Sequence, residues 1–401
     1  MVIIVGSGAG GGILSLELAK ANIPVTIIEK GPYCESKDAI NYYNNEVQGM
    51  DLLQTSCIGG STIVSAGNGV RSLEKYFKEI GIDLDNEFLE MEDLLNIHTL
   101  DDSHIGKLSK KFMKSAEKLN LNVMKMPKFI DESKCIQCGK CAFGCPVDAK
   151  WSSKNFIDEA CENGAKLLCN STVTKLIVED SAIKGVEIID DNGKNKEIFS
   201  NLVILSSGAI TTPLLLQSIG IDCGNQFFTD PFVTVGGFLK DANYNTEIQM
   251  NGLVKSEHFI LAPHFSQFIA NQLDDVKSED IFSIMVKVPD EGKGHVKNND
   301  IIKENTIQDL QYLAEGTTTA GMILRDLGVD PTTIVSTVFR SAHPGGTASI
   351  GKVLNTDLET KIKGLYVCDN SAVPKAPGAP PILTILALAK RLSKKLISDL
   401  S

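Results

Sequence analysis

The sequence predicts an α/β fold in which a parallel sheet is interleaved with a reduced α+β part and a cysteine-rich loop. Three observations carry this. Residues 2–6 and 25–29 are short apolar runs separated by a helix-length segment with Leu14, Leu18 and Ala21 on one face, which makes a strand–helix–strand opening. Further strand-like runs recur after residue 166, with helical segments between and after them. Four cysteines crowd into the eleven residues from Cys135 to Cys145.

The bulk composition limits what such a chain can do. Its 401 residues, 43% of them hydrophobic, suffice for one large or two interleaved domains. A formal net charge of −11 argues against nucleic acid or an anionic membrane as partner, since both need a concentrated positive field. Small-molecule chemistry fits better. Met1 runs straight into Val-Ile-Ile-Val-Gly without a basic, apolar leader, and no apolar run reaches the length of a membrane span. The expected compartment is therefore the cytoplasm, where ten cysteines point to thiols, metal or redox use rather than disulfides.

Taken in order, residues 1–72 read as the dinucleotide-type opening and its following loop, and 73–130 as a helical insertion, amphipathic from about Glu74 to Asn122. The cysteine loop occupies 131–150. In 151–230 a helix is expected over 152–166, followed by strands that return to the first sheet, with Asp191-Asn192-Gly193 as a hairpin turn. Residues 231–338 hold strand candidates such as 258–265 and 281–288 but no chemical motif, as in a substrate-facing sheet domain. The segment 339–401 ends in a strand, a loop and a final helix.

The turn after the first strand, Gly6-Ser7-Gly8-Ala9-Gly10-Gly11, fits G-x-G-x-x-G, the Rossmann dinucleotide turn. Gly6 makes the turn, Gly8 lets backbone approach a pyrophosphate, Gly11 lets the helix lie close to the strand, and the helix N-terminus offers free N–H groups to phosphate. Glu29 ends the second strand 18 residues after Gly11, where a carboxylate can accept ribose hydroxyls. A second strand–GxGxxG–helix unit is absent from the sequence, so one dinucleotide is expected. These glycines alone do not choose between FAD and NAD.

Later segments are more specific. Gly59-Gly60-Ser61-Thr62-Ile63-Val64-Ser65, continuing to Arg71, resembles the flavin-contacting loop of the glucose–methanol–choline (GMC) family of FAD oxidoreductases. Residues 208–218 resemble that family's second signature, with Ile219 where glycine is usual. His343-Pro344-Gly345-Gly346-Thr347 and 364–374 resemble its C-terminal flavin and active-site region. The resemblance implies an FAD-binding, GMC-type Rossmann-like domain. It also implies that Val173 makes a backbone contact to adenine, that Pro381 lies at the flavin, and that His343 is the active-site histidine. Asp369, at a strand end, is placed to bind a ribityl hydroxyl or polar backbone beside the flavin. Pro380 stands where the family carries a second active-site His or Asn, and proline has no side-chain hydrogen bond to give.

Cys135-x2-Cys138-x2-Cys141-x3-Cys145-Pro146 has the spacing of bacterial ferredoxins, which wrap a [4Fe–4S] cluster. In two-cluster ferredoxins the fourth cysteine of such a run serves the other cluster, so the fourth ligand is open between Cys145 and another cysteine such as Cys57. Zinc, which prefers separated pairs, and a metal-free loop are the alternatives. A related cysteine loop without a necessary cluster is what resemblance to the family's long-chain alcohol oxidases implies.

The leading functional expectation is oxidation of a CH–OH group, with His343 taking the hydroxyl proton while hydride passes to flavin. A cluster would carry single electrons to a ferredoxin-like partner. The alternatives are an FAD/iron–sulfur reductase or dehydrogenase of a carbon–carbon bond, and a non-catalytic electron carrier with a closed substrate side.

Overall fold

Four of the five strands in the central sheet are runs with every residue buried: Val2–Val5, Val25–Ile28, Val203–Leu205 and Leu365–Val367. Strands apolar on both faces belong in the middle of a parallel sheet covered on both sides. In the computed structural model, which describes residues 1–44, 51–298 and 300–400, the order is Leu365–Val367, Val203–Leu205, Val2–Val5, Val25–Ile28, Lys166–Leu168. All four pairings are parallel, with Ile3 beside both Val203 and Thr26. Residues 45–50, 299 and 401, which fall within the expected segments 1–72, 231–338 and 339–401, lie outside the described residues.

The helix Ala9–Lys20 packs against the helices Ser153–Glu162 and Ile382–Leu400. Of the strands expected to return to this sheet between residues 167 and 205, only the outermost two do so. Thr172–Glu179, Ala182–Ile189 and Asn195–Phe199 instead form a separate antiparallel sheet. The reason is their side-chain pattern: Thr172–Glu179 exposes several polar residues, which suits a one-sided antiparallel sheet and not a doubly covered one. The hairpin turn forms as expected, with the Asp190 N–H donating to the Lys194 carbonyl at 2.9 Å and Gly193 at φ +73°.

The second body is an eight-stranded, mainly antiparallel sheet. Its middle pairs Phe232–Phe238 with Ile281–Lys287 and the latter with Ile260–Pro263, where the 258–265 and 281–288 runs predict strands. The 20-residue helix Ile307–Asp326 packs on it. That helix escapes a reading by periodicity because its centre, Gly316 to Gly321 with three threonines, has poor helix propensity. Its start is marked by a capping box, Thr306 and Asp309 bonding each other's backbone N–H. A Cβ on Gly316 would sit 2.4 Å from Val286, so glycine permits the close helix–sheet approach.

Candidate active site

The glycines of the first turn divide by what surrounds them. A Cβ on Gly6 would lie 2.3 Å from the Ser206 carbonyl oxygen, one on Gly10 1.9 Å from that of Cys368, and one on Gly11 2.1 Å from that of Gly6. On Gly8 it would meet nothing within 4 Å, because Gly8 borders a cavity of about 330 Å³ between the two bodies of the chain. Gly6, Gly8, Glu29, Gly60, Ser61, Thr62, Ser65, Val173, Asp369, Pro381 and His343 all border this one cavity. Gly11 and Gly59 do not. Gly11 closes the helix on the strand, and Gly59, at φ +83°, turns the chain against Lys154.

Hydrogen bonds tie these segments together. Glu29, buried at the end of its strand, accepts from the Ser7 N–H at 3.0 Å, the Ser7 hydroxyl at 2.6 Å and the Gly31 N–H at 2.8 Å. Burial raises its pKa, while these donors and Lys30 pull it down. The Ser7 hydroxyl oxygen in turn accepts from the Gly59 N–H at 2.9 Å, which joins the glycine turn to the loop 59–65. The Thr62 hydroxyl donates to the Gly59 carbonyl at 2.6 Å and accepts from the Ser153 N–H at 2.9 Å. Asp369 is spent on the protein: it accepts from the Gly208 N–H at 2.9 Å, the Thr212 hydroxyl at 2.7 Å and the Ser371 N–H at 2.7 Å. Of the two roles expected for it, holding polar backbone is the one the contacts display.

At the far end of the cavity His343 Nδ1 stands 2.9 Å from Asp230 Oδ2, while Asp230 Oδ1 accepts from the Gly378 N–H at 2.9 Å. Lys287 Nζ lies 3.3 Å from His343 Nδ1 and 3.4 Å from Nε2. Burial drives all three groups toward their uncharged forms: it lowers His343 well below the usual imidazole value, lowers Lys287 and raises Asp230. His264, also on the cavity, is pushed down to about 4 by burial and the nearby cations Arg340 and Lys287. Pro380 borders the cavity too. Sequence reasoning missed Asp230 and Lys287. The signal was a lone lysine at the end of the fully buried run Ile281–Lys287, where an unpaired charge is costly.

The cysteine loop forms a separate site. Cys135, Cys138, Cys141 and Cys145 border one cavity of about 20 Å³, room for about one water. The Ala149 N–H donates to Cys145 Sγ at 3.3 Å. Cys57 is elsewhere, buried beside Cys34, so the structure brings Cys145 and not Cys57 to the other three. All ten thiols are free, and among the described residues no group of three or more His, Cys, Asp or Glu is placed to hold a metal ion. Two buried lysines flank the loop. Lys128 Nζ donates to the Ala66 and Gln249 carbonyls and to Asn68 Oδ1, and Lys150 Nζ to the Thr62 and Ile63 carbonyls. Neither forms an ion pair with a carboxylate among the described residues. Burial pushes Lys128 down to about 7 and Lys150 to about 8, and the charges that most oppose this are cysteine sulfurs, Cys141 foremost.

No helix among the described residues is long and apolar enough to cross a membrane. The chain is 34% identical to an uncharacterised protein of Methanocaldococcus jannaschii over 98% of this chain and 99% of that protein. It is 24% identical to a long-chain-alcohol oxidase of Arabidopsis thaliana, covering 99% of this chain and 67% of the plant protein. Among solved structures, a pyridoxine 4-oxidase from "Mesorbium loti" superposes with a TM-score of 0.77 at 15% identity over 98% of both chains, and a formate oxidase with 0.76 at 15% identity over 99% of this chain and 98% of that one. Family models for GMC oxidoreductases match residues 9–241 and 300–389, and the chain belongs to that family of FAD-dependent oxidoreductases.

Proposed function

We propose that the chain oxidises a CH–OH group of a small organic substrate, with FAD in the long cavity and His343 as the base. The observation that carries this is the state of His343. Its Nδ1 is engaged by Asp230, its Nε2 has only a long 3.4 Å contact to Lys287, and burial holds its pKa low, so a neutral base borders the cavity. The residues present fit FAD: Gly8 offers open space for a pyrophosphate at a helix N-terminus, Glu29 would face the ribose, Val173 the adenine, and Gly60 to Ser65 and Pro381 the flavin. Bound FAD supplies the two-electron acceptor. With that acceptor in place, a CH–OH group would be oxidised to a carbonyl, and the part of this chain would be to take the O–H proton at His343 Nε2. The names of relatives agree, since the plant relatives are long-chain-alcohol oxidases.

The substrate side is assigned to the segment 231–338, whose sheet contributes Phe232, Ile260, Met285 and Lys287 to the cavity and whose turn contributes Met250. These residues line the cavity beside His343, which counts against a carrier with a closed substrate side. One test is the pH profile of anaerobic flavin reduction. A buried histidine whose folded pKa lies well below 6.5 stays neutral as pH falls, so His343 itself is expected to add no step between about pH 6 and 7, where an exposed imidazole loses its free base; Asp230, pushed up to about 7 by burial, is the bonded neighbour that titrates there. A drop with a midpoint near the ordinary histidine value that persists in Asp230→Asn would contradict the assignment.

The cysteine loop belongs to the same proposal as the seat of a [4Fe–4S] cluster that would exchange single electrons with a ferredoxin-like partner. Its support is the spacing, the convergence of four thiols on one cavity and two buried ammonium groups without carboxylate partners, suited to the negative charge of a tetrathiolate cluster. A single ion needs its ligands about 2.3 Å from one point, whereas a cubane spreads them over four corners, so the lack of a single-ion site does not bear on a cluster. The space between the thiols must widen to admit it. After anaerobic reconstitution, Ser in place of Cys135, Cys138, Cys141 or Cys145 is expected to remove the broad iron–sulfur absorbance and leave FAD bound, while Cys57→Ser leaves both. Zinc, or no metal, in the reconstituted wild type would end this part of the proposal.

A further inference from the structure

Among the described residues, Lys287 is an ammonium group with no carboxylate partner and only two long polar contacts, both to the ring of His343. Its side chain is buried, with 3% of the residue exposed, on the cavity wall, and it forms no ion pair within 4 Å among the described residues. Its distances to the two ring nitrogens of His343 are nearly equal, 3.3 and 3.4 Å, which keeps Nζ off both in-plane lone pairs. The in-plane position at Nδ1 is already occupied by Asp230 Oδ2 at 2.9 Å. The ammonium also stands 5.1 Å from the centre of the Phe232 ring. A buried donor set of this kind, left unaligned by the protein, is complementary to an anionic oxygen brought by a ligand.

From this geometry we infer that the substrate is an apolar 2-hydroxy acid, whose carboxylate is held by Lys287 while its hydroxyl faces His343. The inference rests on the proposed function and names the substrate class of that same site. A hydroxyl bonded in plane to Nε2 at about 2.8 Å would stand roughly 5 Å from Lys287 Nζ, too far for one oxygen to serve both groups. A hydroxyl and an adjacent carboxylate on one carbon skeleton span that interval. Met126, Met250, Met285 and Ile260 line the surrounding wall, which suits an aliphatic tail. The same lysine puts a cation on a cavity wall where Pro380 provides no side-chain polar group. The reading that competes is a lysine kept only to offset the charge of Asp230.

The two are separated by binding to the oxidised, FAD-loaded protein, read as the flavin difference spectrum with no turnover. The probes are 2-oxohexanoate, the expected product type, and its uncharged counterpart 2-oxohexanamide, neither of which carries a CH–OH group to oxidise. Wild type is expected to bind the oxo acid roughly 10- to 100-fold more tightly. Lys287→Met is expected to erase that preference, and Lys287→Arg to keep most of it. Equal affinity of the wild type for both probes overturns the inference, as does a preference that survives in Lys287→Met. The flavin spectrum before titration reports on the underlying reading separately: wild-type protein that takes up no FAD defeats the proposed function, and the substrate class with it.

Discussion

Gly8→Val is expected to give a folded protein that holds no FAD. The side chain would enter the cavity and not the core, because a Cβ on Gly8 meets no atom within 4 Å. The backbone there, at φ −66° and ψ −168°, is extended and suits a β-branched residue. In the holoprotein that volume is where the pyrophosphate must approach the backbone, so the methyl groups exclude it. Gly11→Val is the contrast. Its Cβ would fall 2.1 Å from the Gly6 carbonyl oxygen, backbone that cannot yield, so loss of the fold is expected before any question of cofactor arises. Thermal unfolding and flavin content measured together decide the matter. Bound FAD in Gly8→Val at wild-type occupancy would mean that the dinucleotide lies elsewhere.

His343→Ala is expected to leave fold and FAD content intact and to slow substrate-dependent flavin reduction by on the order of 10²–10⁴-fold, the usual worth of general acid–base catalysis. The structure makes a clean outcome plausible on physical grounds, since the ring borders the cavity and its main polar contact is Asp230, which keeps a second anchor in the Gly378 N–H. The measurement is anaerobic stopped-flow bleaching of the flavin, with dithionite reduction as the control for intact FAD. A structural histidine would show itself by lost stability or lost flavin. Equal bleaching rates in mutant and wild type would show that another group takes the proton.

How far the site could be read beforehand depended on whether its parts are near in sequence. Gly6, Gly8 and Gly11 lie in one turn between a strand and a helix, and Gly60 to Ser65 in one loop, so spacing alone locates them. Their bridging atoms were out of reach: Ser7, Thr62 and Ser153 link the turn, the loop and a helix across up to 146 positions. The strands Thr172–Glu179, Ala182–Ile189 and Asn195–Phe199 were recognisable as strands but not as a sheet of their own, because propensity is local and pairing is not.

The sequence by itself determined the parallel α/β opening, the dinucleotide turn, the ferredoxin-like cysteine spacing and the segments that place the chain among GMC oxidoreductases, since each is encoded by residues within one or two turns of chain. Only the tertiary structure decided what stands around His343. Asp230 and Lys287 come from 113 and 56 residues away, and each by itself is an ordinary charged residue. The same holds for Lys128 and Lys150 beside the cysteine loop, and for Cys57, which folding carries to Cys34. Burial is the physical reason. A charge acquires chemistry when neighbours remove its water, and which neighbours do so is settled by packing between distant segments rather than by the pattern within any one of them.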